Sequence, residues 1–339
     1  MTSPWTDYLA RSGASLSANS LDFDTSAPAH DATLVVPLVH LGVIRAAGEE
    51  SAPFLHNLFS NDVKKLAGDE AQWNSFNSPK GRMLASMLLW AEEGGYALAL
   101  SSDILAPMHK KLSMYVLRSK VKLTDASGET ALIGVTGPNA RPIIEALGLP
   151  AASGDMRQGS ADGMRCIRLN PTAYVLAVPT DRAASVFEQA LAAGATRAGT
   201  DAWQLAMIRA GLPLITAATQ EEFVAQMLNY ELIGGVNFKK GCYPGQEIVA
   251  RTQYLGKLKK RMYRVRIDAE QAPAAGTDLF TPAFGEQSAG KLVNVAASPD
   301  GGFEALAVMQ ISCADTGEIH LGSPTGITLM LLDLPYSVE

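Results

Sequence analysis

The order of strand-like and helix-like segments restricts the fold of this chain more than any other feature of its sequence. Residues 34–130 and 131–256 each alternate short apolar runs typical of strands with runs whose apolar residues recur every three or four positions, as in helices. From Lys259 onward only short strand-like runs remain, separated by Gly, Pro, Asp and Ser. We therefore predict an α+β protein with two α+β modules, over 34–130 and 131–256, and an all-β domain over 257–339.

Two further features of the sequence concern the N-terminal segment and the start of one predicted helix. Residues 1–33 are rich in Ser, Ala and Asp and show little periodicity. We expect an irregular segment there, with at most one short helix near residues 5–11, and packed structure that starts later. Asp103 precedes a helical pattern over 104–117, and an Asp at that place is a favoured N-cap.

The composition is that of a folded protein with more than one domain. The chain has 339 residues, whereas single cores stop growing near roughly 250 to 300 residues. Its longest apolar stretch, Met83 to Ala91, is far shorter than the roughly 20 residues that cross a bilayer, and its N-terminus lacks the residue order of a secretory signal. The net charge of −6 argues against a globally basic nucleic-acid surface. We expect no membrane association and a cytoplasmic location.

The cysteines predict a reduced protein without a metal centre of its own. Cys166, Cys242 and Cys313 are an odd number and lie far apart, which is not the pattern of a disulfide framework. No two of them form a C-x-x-C pair, and the five histidines show no metal-ligand spacing. We expect no stably bound metal.

The stretch around Cys242 carries the strongest local signal. Directly after Cys242, the run Tyr243-Pro244-Gly245-Gln246 fits a type II turn, because Pro presets φ at the second position and Gly supplies a positive φ at the third. A helix is expected to begin near Gln246. The turn therefore presents Cys242 close to a predicted helix N-terminus.

The neighbours of Cys242 favour its thiolate form. Lys239 and Lys240 add positive charge, Gly241 removes steric cover, and the positive end of a helix near Gln246 would point toward the sulfur. Cys242 and Lys240 are thus the candidate catalytic residues. The alternative interpretation is that Cys242 is a small buried hydrophobic residue beside a structural turn.

This stretch also resembles a known signature. The motif K-G-C-Y-x-G-Q-E of the YgfZ family is present as Lys240-Gly241-Cys242-Tyr243-Pro244-Gly245-Gln246-Glu247. Other segments resemble the family in the same order, namely FLHNLFSNDV (54–63), PKGR (79–82), RSKV (118–121), FVAQMLN (223–229) and LPYS (334–337). The resemblance covers the chain from about residue 35 and is far more specific than a lone glycine pattern.

The resemblance implies a fold shared with the glycine-cleavage T-protein. That fold has two interleaved α+β folate-binding modules and a C-terminal β-barrel, around a hole that takes tetrahydrofolate or a one-carbon derivative of it. In the family a tryptophan near the folate corresponds to Trp203, whose ring could stack on the ligand. A second tryptophan of some relatives corresponds to Leu41. The alternative for Trp203 is an ordinary core residue.

Two departures separate the chain from the aminomethyltransferases that it resembles. Their essential aspartate lies in a strand whose matching positions here are Ala85 and Ser86. Their acidic residue for the pterin edge is replaced by Arg209, which cannot accept hydrogen bonds. We therefore expect a protein that is not a glycine-cleavage aminomethyltransferase. Folate would then either bind in a different position or use another carboxylate, such as Asp201, Glu221 or Glu222.

A basic cluster surrounds the cysteine motif, and its interpretation stays open. Its members are Lys239, Lys240, Arg251, Lys257, Lys259, Lys260, Arg261, Arg264 and Arg266. They could form an anion site for the folate polyglutamate tail, with Arg251 as a folate-binding residue, or a docking face for tRNA or an acidic partner. A merely solvated charged face is the alternative.

The resemblance implies an accessory factor. In this hypothesis bound tetrahydrofolate and Cys242 support assembly or repair of iron–sulfur clusters in client enzymes, including radical enzymes that modify tRNA. The partners would be folate, iron–sulfur client or assembly proteins and, indirectly, tRNA, with no membrane partner. The alternatives are a folate-dependent one-carbon (aminomethyl) transferase and a non-catalytic folate sensor.

Overall fold

The structure is a computed structural model that describes residues 4–23, 29, 31–256, 258–316 and 318–338. The helices are α1 (Pro4–Arg11), α2 (Ser51–Leu58), α3 (Ser102–Val116), α4 (Ala140–Ala146), α5 (Ala183–Ala192), α6 (Thr200–Arg209), α7 (Gln246–Tyr254) and α8 (Ile311–Thr316), with short 3-10 turns at Val63–Lys65, Ala225–Leu228 and Pro282–Phe284.

The strands are β1 (Ala14–Leu16), β2 (Leu21–Phe23), β3 (Leu34–Pro37), β4 (Leu41–Ala47), β5 (Ala71–Asn77), β6 (Met83–Glu92), β7 (Gly95–Ser101), β8 (Lys122–Asp125), β9 (Thr130–Thr136), β10 (Arg157–Ala161), β11 (Met164–Asn170), β12 (Ala173–Pro179), β13 (Thr196–Arg197), β14 (Lys260–Ile267), β15 (Asp278–Phe280), β16 (Gly290–Ala297), β17 (Phe303–Gln310), β18 (His320–Leu321) and β19 (Leu329–Leu332).

The chain divides into two compact units that do not follow the chain order. The first unit contains 1–54, 63–72 and 88–203, and the second contains 55–62, 73–87 and 204–339. Within the described residues no helix is long and apolar enough to cross a membrane.

The first unit is built on a six-stranded sheet with the order β10-β11-β12-β9-β3-β13. Neighbouring strands are antiparallel except β13, which runs parallel to β3. Alternate residues of β9, β11 and β12 face a core that α4 and α5 close, with Phe187 of α5 fully buried in it. This alternation is the period-2 pattern that burial of one sheet face produces.

The N-terminal segment belongs to this core, contrary to the prediction that packed structure starts only after residue 33. The ring centroid of Trp5 lies 5.8 Å from that of Phe187, edge to face, and Leu9, Leu21 and Phe23 are buried in the same cluster. The helix expected near residues 5–11 is present as α1. Four apolar side chains spaced among polar residues are enough to fix the segment, although they give little periodicity.

A second sheet of the first unit pairs β8, β4, β7 and the Leu88–Glu92 part of β6. Its strand β7 leads directly into α3. The predicted N-cap of α3 is therefore wrong. Ser101, two residues before Asp103, takes the N-cap position without a side-chain cap hydrogen bond. Asp103 lies inside the first turn of the helix. Asp103 instead accepts a hydrogen bond from Ser101 Oγ at 2.7 Å.

The second unit contains a curled, six-stranded antiparallel sheet with the order β18-β15-β16-β17-β14-β19. Its buried face includes Val265, Leu292, Ala307 and Met309. The short helix α8 packs after β17 and buries Cys313. The sequence did not indicate α8, because its apolar residues continue the strand-like run of β17.

The mixed α/β architecture with a C-terminal antiparallel sheet is confirmed. The two predicted modules are not, because residues 55–62 and 73–87 belong to the same compact unit as the C-terminal part of the chain. A division into two folate-binding modules therefore stays a prediction.

Candidate functional site

The turn after Cys242 has the predicted geometry. Gly245 has φ 76° and ψ 3°, and the amide of Gln246 donates to the carbonyl of Tyr243 at 3.1 Å, as in a type II turn. A Cβ atom on Gly245 would lie 2.5 Å from the carbonyl oxygen of Ser78. Glycine is thus needed here both for its conformation and for the close approach of the turn at Ser78.

Cys242 is the exposed cysteine of the protein, whereas Cys166 and Cys313 are buried. Burial raises the pKa of the Cys166 thiol to about 12. Burial also raises the pKa of Cys313, against smaller lowering contributions from Ser312 and Lys260. Cys242 lies four residues before the start of α7 at Gln246.

Lys240 holds the cysteine segment against the end of α2. Its side chain is 7% exposed, and its ammonium group donates to the backbone carbonyls of His56 and Phe59. The same nitrogen lies 4.6 Å from the ring centroid of Tyr243, a cation–π distance. Burial raises the pKa of that Tyr243 hydroxyl. Lys240 therefore has a structural function, and its influence on the thiol stays a prediction.

A buried histidine and aspartate also lie near this segment. His56 Nδ1 is 3.0 Å from Asp62 Oδ1, and the two residues are 7% and 8% exposed. A Cβ atom on Gly241 would lie 3.8 Å from His56 Nε2. The sequence did not indicate this pair, because 185 positions separate His56 from Gly241 and no local spacing connects them.

The remaining motif residues lie at the start of α7. Gln246 Nε2 is 3.4 Å from the carbonyl oxygen of Lys240. The side chain of Gln246 therefore folds back onto the segment that precedes α7. Glu247 and Arg251 are exposed on the helix. The motif residues from Lys240 to Glu247, together with Arg251, thus lie on one continuous segment of the second unit, and their function as a site stays a prediction.

The basic cluster is in part structural. Ion pairs connect Arg261 to Glu231 at 2.7 Å and Arg266 to Asp268 at 2.9 Å, and Arg264 is also paired. Among the residues that the structure describes, the exposed Lys239, Arg251 and Lys259 make no ion pair. Lys257 lies outside the described residues. Of the eight cluster members that the structure describes, the three that are exposed and make no ion pair are therefore available to an anion.

Comparison with known proteins identifies the family. A family model described as the GCVT N-terminal domain matches residues 28–239. The chain belongs to this GCVT family. It is 27% identical over 323 residues to "tRNA-modifying protein YgfZ" of Yersinia pestis (strain Pestoides F), covering 93% of this chain and 97% of the relative. The YgfZ protein of Enterobacter sp. (strain 638) is 27% identical over 322 residues, covering 94% and 98%. The predicted YgfZ resemblance is confirmed.

A solved structure of the GCVT family shows the same fold. Glycine cleavage system aminomethyltransferase T from Bartonella henselae superposes with a TM-score of 0.79 at 16% identity, covering 100% of this chain and 98% of that chain. The mixed α/β fold with the curled C-terminal sheet is therefore that of an aminomethyltransferase.

At the positions where this chain differs from the transferases of the GCVT family, the side chains contribute to the packing and hydrogen bonding of the fold. Ala85 and Ser86 are buried, and Ser86 Oγ accepts a hydrogen bond from the amide of Ile215 at 2.8 Å. Arg209 donates to Glu304 Oε1 at 2.6 Å. The chain therefore presents no carboxylate at 85 or 86, and the arginine is already paired within the protein.

The two residues that the YgfZ resemblance assigns to folate, Trp203 and Leu41, belong to the first unit. Trp203 is 2% exposed, and a Cβ atom on Gly134 would lie 2.4 Å from its ring. Leu41, at the start of β4, is half-buried. The ring of Trp203 thus packs directly on the backbone of β9. Trp203 is thus packed as the alternative of a core residue predicts, and the folate-binding role of Trp203 and Leu41 stays a prediction.

Among the described residues, no three His, Cys, Asp or Glu side chains come together as a metal site. The candidate site of this GCVT family member is therefore a single exposed thiol, on a glycine turn, next to a buried histidine–aspartate pair.

Proposed function

We propose that the protein is a folate-binding accessory factor that supports tRNA modification by helping to assemble or repair iron–sulfur clusters in client enzymes. The observation that carries the proposal is the exposed Cys242, in a chain that aligns over 93% of its length with a protein named as tRNA-modifying. An accessible thiol near the start of a helix is the kind of cysteine that reacts or ligates metal as a thiolate.

The chemistry of iron–sulfur clusters supports this choice. Clusters are held by cysteine thiolates, and an exposed thiol can add one ligand to iron that a partner protein already holds. Cys242 lies on the protein surface, while Lys239, three residues before it, and Arg251 on α7 are exposed cations. Positive charge near the thiol would also favour approach of an acidic partner or an anionic cluster.

Folate enters the proposal through the fold. The fold is that of an aminomethyltransferase, and the YgfZ resemblance implies tetrahydrofolate. When bound, tetrahydrofolate would supply a one-carbon carrier or a reductant. The packing of Trp203 does not match the stacking that the resemblance implies. A calorimetric titration with tetrahydrofolate tests this part alone. An absence of saturable binding heat would remove folate from the proposal.

The alternative of aminomethyl transfer has less support. The positions that match the essential aspartate of the transferases are Ala85 and Ser86, both buried. A non-catalytic folate sensor is also less well supported, because it would not need an exposed thiol in a preformed turn.

Complementation of a deletion strain tests the proposal. The measurements are the levels of tRNA nucleosides made by iron–sulfur radical enzymes and the activities of other iron–sulfur enzymes. Wild type and Cys166→Ala, which changes a buried thiol, are expected to restore both. Cys242→Ser is expected to restore neither at equal protein abundance. Full restoration by Cys242→Ser would contradict the proposal.

A further inference from the structure

A second basic segment of the chain lies in the first unit, at the end of α3. Between Asp103 and Asp125 the sequence contains five Lys or Arg residues and no Asp or Glu, although the net charge of the protein is −6. The five are Lys110, Lys111, Arg118, Lys120 and Lys122. Lys120 pairs with Glu49 at 3.0 Å. The other four make no ion pair with any residue that the structure describes, so their charges are available to a ligand.

Two of these cations share the outer face of α3 with large side chains. Because residues four apart lie on the same side of a helix, Lys110 lies one turn before Met114, and Lys111 lies one turn before Tyr115. Met114 is 66% exposed, and Tyr115 is exposed as well. The opposite face of α3 is buried through Ile104, Leu105, Met108 and Leu112. The outer face therefore combines positive charge with apolar and aromatic surface.

The loop after α3 holds a further apolar side chain in solvent. Leu117 is 89% exposed and has φ 43° and ψ −103°, a region of positive φ that non-glycine residues rarely adopt. The loop is fixed by Glu50, whose carboxylate accepts a hydrogen bond from the amide of Lys120 at 2.6 Å. A Cβ atom on Gly48 would lie 2.2 Å from the carbonyl oxygen of Lys120. The fold thus keeps Leu117 exposed although its backbone is strained there.

An open cavity of about 690 Å³ lies at this helix end. It is lined by Glu50, Tyr115, Leu117, Arg118 and Ser119. The phenol ring and the guanidinium are planar groups on which unpaired nucleobases stack. The hydroxyl and the carboxylate can hydrogen-bond to a base edge, since a carboxylate keeps acceptor capacity beyond one backbone amide. The cavity therefore has the chemistry of a site for one nucleobase.

The charges around the cavity favour RNA over an acidic protein as the ligand. Protein–protein interfaces are depleted in Lys at their centre, whereas Lys110, Lys111 and Lys122 flank the cavity in sequence on both sides. A single strand carries a phosphate on each side of every base, and proteins that bind it combine cations along the backbone with aromatic side chains under the bases. The end of α3 offers both features together.

We propose that the α3 surface binds single-stranded RNA directly, with one unpaired base in the cavity and the neighbouring phosphates on the lysines. The α3 surface is defined as Lys110, Lys111, Tyr115, Leu117, Arg118 and Lys122. The inference goes beyond the proposed function, in which tRNA is affected only through client enzymes, and it does not depend on Cys242. Because RNA binding is measured with the purified protein, its failure would leave the accessory-factor proposal untouched.

The first experiment measures the salt dependence of binding. The probe is a fluorescein-labelled single-stranded RNA of about 12 nucleotides, and its anisotropy is titrated with the protein at several salt concentrations. Lys110→Gln and Arg118→Gln are each expected to reduce the slope of log K against log salt by about 0.7. Arg141→Gln is the control, because it removes one exposed charge from α4, where Arg141 pairs with Glu145, and it should keep the wild-type slope. Absence of saturable binding, or one slope for all four proteins, would overturn the proposal.

The second experiment tests the cavity. Tyr115→Ala is expected to weaken binding by about 5- to 100-fold, the range for losing one base–aromatic stack, with the salt slope unchanged because no phosphate contact is lost. A duplex RNA of the same sequence should bind more weakly than the single strand. Polyglutamate is the competitor that represents an acidic protein. Displacement of the RNA by an equal concentration of charge on polyglutamate, or equal affinity for the duplex, would overturn the proposal. Thermal denaturation checks folding; if Tyr115→Ala does not fold, the duplex and polyglutamate measurements on the wild type decide.

Discussion

Gly241 and Gly245 of the cysteine motif have different roles in the structure. Gly245 has a φ of 76°, and a Cβ atom there would lie 2.5 Å from the Ser78 carbonyl and 2.6 Å from the Gly81 Cα. Gly241 has no such conflict, because only His56 Nε2, at 3.8 Å, is near its side-chain position. Glycine at 245 is therefore required by the fold, whereas at 241 it leaves space beside the thiol.

These differences predict opposite effects of alanine at the two positions. Gly245→Ala is expected to destabilise the protein by at least about 2 kcal/mol, because backbone strain and overlap with backbone atoms add. Gly241→Ala should change the free energy of unfolding by less than about 0.5 kcal/mol. Urea denaturation of both variants checks this. Equal stability of the two alanine variants would show that the turn tolerates a side chain.

The three cysteines are predicted to differ in reactivity. Cys242 is exposed, whereas burial raises the pKa of Cys166 to about 12 and also raises that of Cys313. Because the thiolate is the reactive form, iodoacetamide at neutral pH should modify Cys242 first and the other two only when the protein unfolds. Peptide mass spectrometry over a time course measures this, with labelling in urea as the control. Modification of Cys313 in the native protein at the rate of Cys242 would contradict the prediction.

At the scale of elements, a buried acidic residue connects three segments of the second unit. Glu304 of β17 accepts hydrogen bonds from Arg209 of α6 and from Arg264 of β14, at 2.6 Å and 2.9 Å. Burial alone would raise the pKa of Glu304, but the hydrogen bonds and charges of the two arginines lower it. The arginine that replaces an acidic residue of the transferases thus has an acidic partner on a neighbouring strand.

This arrangement predicts a stability that depends on pH. The folded pKa of Glu304 is lowered, so its contribution is fully present above the unfolded value of about 4.3 and is lost as the pH falls through the folded pKa. Glu304→Gln should lower the free energy of unfolding by about 2–4 kcal/mol near pH 7. We expect a value in the lower part of this range, because Arg209 is partly exposed and solvent weakens its ion pair. The difference from wild type should shrink below about pH 4.

Asp268→Asn is the matched control, since Asp268 is an exposed carboxylate directly after β14 that pairs with Arg266 of that strand. Its cost should stay below about 1 kcal/mol. Urea denaturation at several pH values measures both variants. A cost of Glu304→Gln no larger than that of Asp268→Asn would contradict the assigned role of the ion-pair group.

Element by element, the sequence predicts local structure better than long-range packing. The type II turn and the start of α7 followed from Pro244 and Gly245, because φ preferences act within four residues. The packing of Trp5 and Leu9 did not follow, since their partner Phe187 is distant in the chain. The same reason explains the site: the motif around Cys242 was predictable, while the approach of His56 depends on contacts between distant segments.

At the scale of the whole molecule, fold and chemistry separate. The chain shares its fold with an aminomethyltransferase at a TM-score of 0.79 and 16% identity, yet a fold alone does not determine activity. The decisive positions are buried: Ser86 Oγ is occupied by the amide of Ile215, and Ala85 has no polar group. In the proposed function, the exposed Cys242 on this scaffold is the reactive group instead.

The last prediction is that the purified protein does not transfer an aminomethyl group to tetrahydrofolate. The reaction needs a carboxylate near the reacting atoms, and the matching positions carry a methyl group and a hydrogen-bonded hydroxyl, both buried. The measurement is methylenetetrahydrofolate formed from an aminomethyl-lipoyl carrier protein, with an aminomethyltransferase under the same conditions as the positive control. The protein and its Cys242→Ser variant should both stay at the background rate. A rate comparable to the transferase would show that another group replaces the aspartate, and a rate lost in Cys242→Ser would assign that chemistry to the thiol.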